Sequence, residues 1–265
     1  MQKRRLIPAV ALMALYIPFP VAAKSPATPA QQTGAPVVVT AAKWQSGDYW
    51  ANFDHQMLVD FANLARYKGA DQKLGPPEPG ADRVVFMGDS ITEGWKLDQS
   101  FPGKTYINRG ISGQTTSQIL LRFRQDVIDL HPKVVLILAG TNDIAGNTGP
   151  TTQTQIEGNL ESMAQLARAN HIRVVLCSVL PSVNYWWHPK LPNPTPRIAT
   201  LNRWLQAYAA QEHYVYVNYY GAMKDAAGGL GHKLSADGVH PLPAGYAIMA
   251  PLAQAGIDEA LKHAR

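Results

Sequence analysis

One cysteine, Cys177, stands in 265 residues, and a lone thiol excludes both an intrachain disulfide framework and a cysteine-clustered zinc site. Charge of either sign is scarce: 16% of residues are charged and the net charge is +5. Without the three basic residues of the leader, Lys3, Arg4 and Arg5, the balance is +2, too even to suggest the concentrated basic face with which proteins grip nucleic-acid phosphates. An apolar content of 46% excludes a disordered chain. Beyond the first 23 residues no apolar run approaches the roughly 20 residues that span a bilayer. Two catalytic signatures are also missing. The G-x-S-x-G elbow fails because Thr92 occupies its last position, and no G-x-x-x-x-G-K-[ST] phosphate loop occurs.

What is present begins with a leader. Residues 1–23 carry Lys3, Arg4 and Arg5, then an apolar stretch from Leu6 to Phe19, then the small-residue end Val21-Ala22-Ala23. This is the pattern of a cleavable secretory signal, with cleavage expected after Ala23 and the periplasm or the medium as destination. Its removal leaves 21 basic residues against 19 acidic, a net charge of +2. Residues 24–42 are rich in Ala, Pro, Thr and Gln without periodicity and read as a flexible linker. Residues 43–265 then read as a single domain. No stable membrane insertion is expected after cleavage.

Hydrophobic periodicity predicts an early helix over residues 53–67, with Met57, Leu58, Phe61 and Leu64 on one helical face. After a Pro/Gly break at 75–80 the chain alternates. β-Branched apolar runs at 83–87, 105–108, 133–139, 173–180 and 214–218 predict five strands. Helical patterns lie between them, marked by Ile119, Leu120, Phe123, Val127 and Leu130, by Ile156, Leu160, Met163 and Leu166, and by Ile198, Leu201, Leu205 and Tyr208. A last helix is expected from about 243 to 262, kinked or split at Pro251. Alternation with continuously apolar strands predicts an α/β fold: a three-layer α/β/α domain around a five-stranded parallel sheet.

Ligands of such sheets bind at the carboxyl ends of the strands, and four polar turns lie there. They are Gly88-Asp89-Ser90, Ile111-Ser112-Gly113-Gln114, Gly140-Thr141-Asn142-Asp143 and, after a longer loop, Asp237-Gly238-Val239-His240-Pro241. Together they supply the parts of an acyl-transfer site. Ser90 offers a hydroxyl nucleophile. His240 offers a base that can be neutral near pH 7. Asp237 offers a carboxylate to fix the imidazole tautomer. The Ser90 N–H, the Gly113 N–H and the Asn142 amide are suited to hold an oxyanion. Asp89 and Asp143 read as structural, binding nearby backbone N–H groups. The other histidines show no metal-ligand spacing, so no metal site is expected.

These blocks resemble those of the SGNH hydrolases, also called GDSL esterases/lipases. Gly88-Asp89-Ser90 matches the first block, Gly113 the second, Gly140 to Asp143 the G-x-N-D block, and Asp237 with His240 the D-x-x-H block. The stretches GDSITEGW and NRGISGQTT look most like the small platelet-activating-factor acetylhydrolase-like branch. The resemblance implies a flavodoxin-like fold, ester hydrolysis without metal or other cofactor, and a permissive site. It leaves the substrate open.

One segment stands outside the four blocks. Tyr185-Trp186-Trp187 sits in a Pro-rich loop after the fourth predicted strand. Three adjacent aromatics there are candidates for a sugar platform or the wall of an acyl pocket, or else for packing against the domain. Arg109 is a further candidate for substrate binding. The expectation is a secreted serine esterase acting on short acyl esters, acetyl groups on carbohydrate in particular, with small molecules or polysaccharide as substrate. A lysophospholipase or broad arylesterase and an acyltransferase to sugar hydroxyls are the alternatives. A non-catalytic carbohydrate-binding module is a more distant one.

Overall fold

The computed structural model describes residues 47–262. The expected signal and linker, residues 1–23 and 24–42, lie outside the described residues. Two helices come first, α1 (Gly47–Val59) and α2 (Ala65–Leu74). The rest follows as β1 (Val84–Gly88), α3 (Ser90–Glu93), α4 (Leu97–Ser100), β2 (Tyr106–Gly110), α5 (Thr116–Asp126), β3 (Val134–Leu138) and α6 (Thr141–Ala145). Then come α7 (Gln153–Ala169), β4 (Arg173–Cys177), α8 (Thr195–Glu212), β5 (Val215–Val217), α9 (Tyr219–Met223) and α10 (Pro243–Lys262). All five predicted strands are present within a few residues of their expected bounds.

The strands form one parallel sheet in the order β2-β1-β3-β4-β5. This is the flavodoxin-like doubly wound arrangement, with its topological switch between β1 and β3. Side chains alternate across the sheet, and the two faces carry two cores. Val85, Met87, Val135, Ile137, Val174 and Leu176 pack against α5, α7 and α8 through Ile119, Phe123, Ile156, Leu160, Met163, Ile198 and Leu201. Val84, Phe86, Val134, Leu136, Val175 and Cys177 face α10 through Met249, Ala253 and Ile257. Cys177 is buried with a free thiol. The helix α10 approaches the sheet closely because residue 256 is glycine; a Cβ there would lie 2.5 Å from Val217 Cγ2. Among the described residues no helix is long and apolar enough to cross a membrane.

Two expectations need correction. The helix over 53–67 is two helices, because Asp60 ends one and caps the other: its carboxylate accepts from Leu64 N and Ala65 N, at 2.9 and 3.0 Å. The apolar residues of this segment are largely exposed. Leu58 is 87% exposed, Phe61 39% and Leu64 41%. The elbow is instead held through its carbonyls, which accept from a row of α5-side glutamines: Gln114 to Ala62 O, Gln118 to Phe61 O and Gln125 to Leu64 O, each at 2.7 Å. Pro251 does not split the last helix, which runs unbroken as α10. Pro251 lies on its exposed side, while Met249, Ala253 and Ile257 hold both halves against the sheet.

Candidate active site

The turn after β1 presents Ser90. Asp89 is the N-cap of α3 and accepts from Ile91 N at 3.0 Å. Ser90 is therefore the first helical residue, and its hydroxyl is not spent on capping. It lies 3.0 Å from His240 Nε2. His240 Nδ1 in turn lies 2.6 Å from Asp237 Oδ2. A carboxylate only accepts, so Nδ1 carries the proton, and Nε2 is left to accept from the serine hydroxyl.

Asp237 is anchored by its own turn. Its Oδ1 accepts from Ser235 Oγ, Val239 N and His240 N, between 2.8 and 3.0 Å. Burial alone would raise this carboxyl. The hydrogen bond and charge of His240 and the two backbone N–H groups prevail and hold it well below the usual carboxylate range. It is therefore ionised at any pH at which an imidazole is neutral.

On the other side of the serine stand the turns after β2 and β3. Gly113 adopts φ +77°, and a Cβ there would lie 2.6 Å from Phe53 Cε2. The N-terminal helix thus covers this turn. The Asn142 amide nitrogen donates to Gln114 O at 3.0 Å. Gly113 and Asn142 are joined through Asn147, which donates to Gly113 O and to Asn142 Oδ1, both at 3.0 Å. Asp143 fixes the same two turns to each other by accepting from Thr116 N and Thr116 Oγ1 at 2.9 and 2.6 Å. Burial pushes the Asp89 carboxyl up to about 7 and that of Asp143 to about 6.

The aromatic loop divides. Tyr185 is 1% exposed, with its hydroxyl 3.2 Å from Thr141 Oγ1, so it is a buried anchor and no platform for substrate. Trp186 and Trp187 are half-buried at the rim. The Trp186 indole donates to Asp237 Oδ2 at 3.3 Å, and the Trp187 ring lies 6.3 Å from that of His240. Arg109, expected at the substrate, is buried and occupied elsewhere. It pairs with Asp71, donates to Asn108 O, and its guanidinium lies 4.6 Å from the Tyr67 ring centroid. An arginine on β2 whose three nitrogens each donate to Asp71 or Asn108 O serves the fold.

Sequence reasoning missed three neighbours of the site. Phe53 and Asn147 carry no local motif. Arg122 is wholly buried behind Ser90, donating to Gly88 O and Asp126 at 2.8 Å each and to Gln114 Oε1. Its spacing four residues before Asp126 was the available signal. A cavity of about 290 Å³ lies at the opposite end of the sheet, beside the first residues of β4 and β5, lined by Arg168, His171, Arg173 and His213. It has no part in the serine constellation.

With this geometry in hand, likeness to known proteins decides the lineage. Residues 86–248 match the GDSL-like lipase/acylhydrolase family. The chain belongs to that family. It is a GDSL-family carboxylic ester hydrolase. The chain is 45% identical to a GDSL-like lipase of Bacteroides thetaiotaomicron, covering 76% of this chain and 100% of that one with a TM-score of 0.74. It is 32% identical over 180 residues to Esterase TesA of Pseudomonas aeruginosa, or 62% of this chain and 82% of the relative. An acetylxylan esterase of Geobacillus stearothermophilus shares the fold at 21% identity, covering 66% of this chain and 94% of that one with a TM-score of 0.55. The family match begins inside β1, so α1, α2 and Phe53 fall outside it.

Proposed function

We propose that this GDSL hydrolase is a secreted serine esterase that removes short acyl groups, acetyl above all, from carbohydrate. The observation that carries the catalytic reading is the unbroken relay from Ser90 Oγ to His240 Nε2 at 3.0 Å and from His240 Nδ1 to Asp237 at 2.6 Å. Ser90 Oγ attacks the ester carbonyl carbon as His240 Nε2 takes its proton. The carbonyl π electrons move onto oxygen, and the resulting O⁻ accepts hydrogen bonds from the N–H groups of Ser90 and Gly113 and from the Asn142 amide. The tetrahedral intermediate collapses, the C–O bond to the alcohol breaks, and the imidazolium protonates the leaving oxygen. Water then attacks the acyl-enzyme with His240 as base, releasing the acid and restoring Ser90–OH. Asp237 stabilises the imidazolium throughout.

The carbohydrate assignment is supported by the half-exposed rings of Trp186 and Trp187 beside His240, since indole faces suit sugar rings. Secretion is supported by residues 1–23. A second reading has its own support. The exposed Leu58, Phe61 and Leu64 follow Phe53 on the same N-terminal segment, and an apolar edge near Gly113 suits lysophospholipid or aryl esters. A p-nitrophenyl ester series from C2 to C12, run beside acetylated xylan and a lysophospholipid, tests the choice. A preference for acetyl with release of acetate from xylan supports the first reading; a preference for C8 or longer replaces it with the second. Ser90→Ala is expected to abolish turnover and labelling by a fluorophosphonate. Full activity in the folded variant would refute the mechanism. Exported protein whose N-terminus is not near residue 24 would refute the processing.

A further inference from the structure

We propose that Asn147 is a positioning residue for the oxyanion hole, and that the Trp187 indole sets the sense in which it points. The proposal rests on the reading of Asn142 as an oxyanion donor. An asparagine amide presents an oxygen at one end and two N–H donors at the other, and the two ends exchange on a half-turn. An oxyanion hole needs the nitrogen end of Asn142 facing the substrate, so something must forbid the flip.

The structure supplies a chain of partners with only one consistent direction. It starts at a group that can only donate: the Trp187 Nε1–H, 2.9 Å from Asn147 Oδ1. With its oxygen claimed there, Asn147 turns its nitrogen to the other side. There the two N–H groups meet two acceptors, Gly113 O and Asn142 Oδ1, each at 3.0 Å. Both donors of Asn147 are thus used. Asn142, its oxygen claimed by Asn147, presents its own nitrogen to Gln114 O at 3.0 Å. One N–H of Asn142 is spent on that carbonyl, and the second remains for the developing oxyanion. The carbonyl of Gly113, the other proposed donor residue, is held by the same Asn147 nitrogen. One side chain therefore holds two of the three proposed donor residues.

A purely structural role for Asn147 would look different. Its backbone already closes the turn after α6, donating from N to Asn142 O at 3.0 Å. The side chain adds nothing to that helix end. Its contacts run to the functional amide and to the functional turn.

The test is a double-mutant cycle in the full-length processed enzyme, with p-nitrophenyl acetate as substrate and melting temperature as the folding control. Asn147→Asp keeps shape and volume but places an acceptor-only group against Gly113 O and Asn142 Oδ1. The Asn142 amide then flips to donate to it, and oxygen faces the reacting carbonyl. The expected loss in kcat is about 10²–10³, the same as for Asn142→Ala, the scale of one lost oxyanion donor, with KM nearly unchanged. In the Asn142→Ala background, Asn147→Asp should cost little more, because no amide is left to misdirect. Trp187→Phe, which keeps an aromatic ring but loses the pyrrole half of the indole with its N–H, should lower kcat about 3- to 10-fold, the scale of one neutral hydrogen bond, and likewise have no effect once residue 142 is alanine. Multiplicative losses in the double variants, or wild-type kcat in Asn147→Asp with Asn142→Ala impaired, would overturn the positioning role alone. Wild-type kcat in Asn142→Ala would remove the oxyanion reading and this proposal with it. If Asn147→Asp does not fold, the Trp187→Phe cycle carries the same decision.

Discussion

Replacing Gly113 by alanine tests the second proposed oxyanion residue and the contact that the N-terminal helix makes with it. Two costs are separable in the structure. The first is conformational: at φ +77° an L-residue pays about 1–2 kcal/mol for the left-handed region. For a domain of this size, each kcal/mol shifts the melting temperature by roughly 2–4 °C, so a fall of about 2–8 °C is expected. The second is steric. The new methyl would stand 2.6 Å from Phe53 Cε2 and 3.2 Å from Cζ. Carbon atoms rest near 3.5–4.0 Å, so either the ring or the turn must yield by roughly 1 Å. If the turn yields, the Gly113 N–H leaves its position, and a shift of about 1 Å in a reacting geometry costs on the order of 10² in rate. The assay is p-nitrophenyl acetate turnover and calorimetry on Gly113→Ala, Phe53→Ala and the pair. In the pair the steric cost disappears and the conformational cost stays. The kcat penalty of Gly113→Ala should shrink below about tenfold when Phe53 is alanine, while the fall in melting temperature persists. An unchanged kcat in the single variant, or the same penalty in both backgrounds, would refute the reasoning.

Further outcomes follow from other groups. Asp237→Asn is expected to cost on the order of 10⁴ in kcat without unfolding the enzyme, because an amide donor facing Nδ1 moves the imidazole proton to Nε2, where it blocks acceptance from Ser90; a loss under tenfold would reject the tautomer argument. Arg122→Ala leaves Asp126 and Gly88 O without their buried donor and should destabilise the fold by about 3–5 kcal/mol; urea unfolding showing less than 1 kcal/mol would reject it. Asp89 is expected to tie stability to pH. Burial raises its carboxyl, opposed by Ile91 N–H and the His240 charge, to about 7, against about 3.9 in an unfolded chain. Folding therefore takes up a proton between roughly pH 4 and 7, so this group's contribution falls as pH rises through that window and is constant above it. Melts from pH 5 to 8 should show Asp89→Asn gaining on the wild type as pH rises; a constant difference would refute the assignment.

The five strands and the long helices α5, α7, α8 and α10 followed from local pattern alone; the short helices α3, α4, α6 and α9 did not. Uninterrupted β-branched runs have no solvent face, so they belong in the middle of a three-layer sheet, and the helices between them carry their apolar residues at helical spacing. The same logic placed Ser90, Gly113, Asn142, Asp237 and His240 at one rim, because turns after parallel strands share one edge of the sheet. It failed where polar groups outweighed apolar pattern. Leu58, Phe61 and Leu64 have helical spacing, yet Asp60 and three glutamines decide how that segment docks.

What only tertiary structure decided is which partner each polar group meets. Arg109 and Arg122 are the same residue type a short distance apart in the chain, and both are buried with each guanidinium nitrogen donating to a neighbour. Trp186 and Trp187 are adjacent, yet one indole reaches Asp237 and the other Asn147. Hydrogen bonds depend on direction and on which end of an amide faces which neighbour, and those directions exist only once distant segments are packed together. Strand and helix periodicity is written in consecutive residues; the orientation of a side-chain amide is written in contacts between residues far apart in sequence.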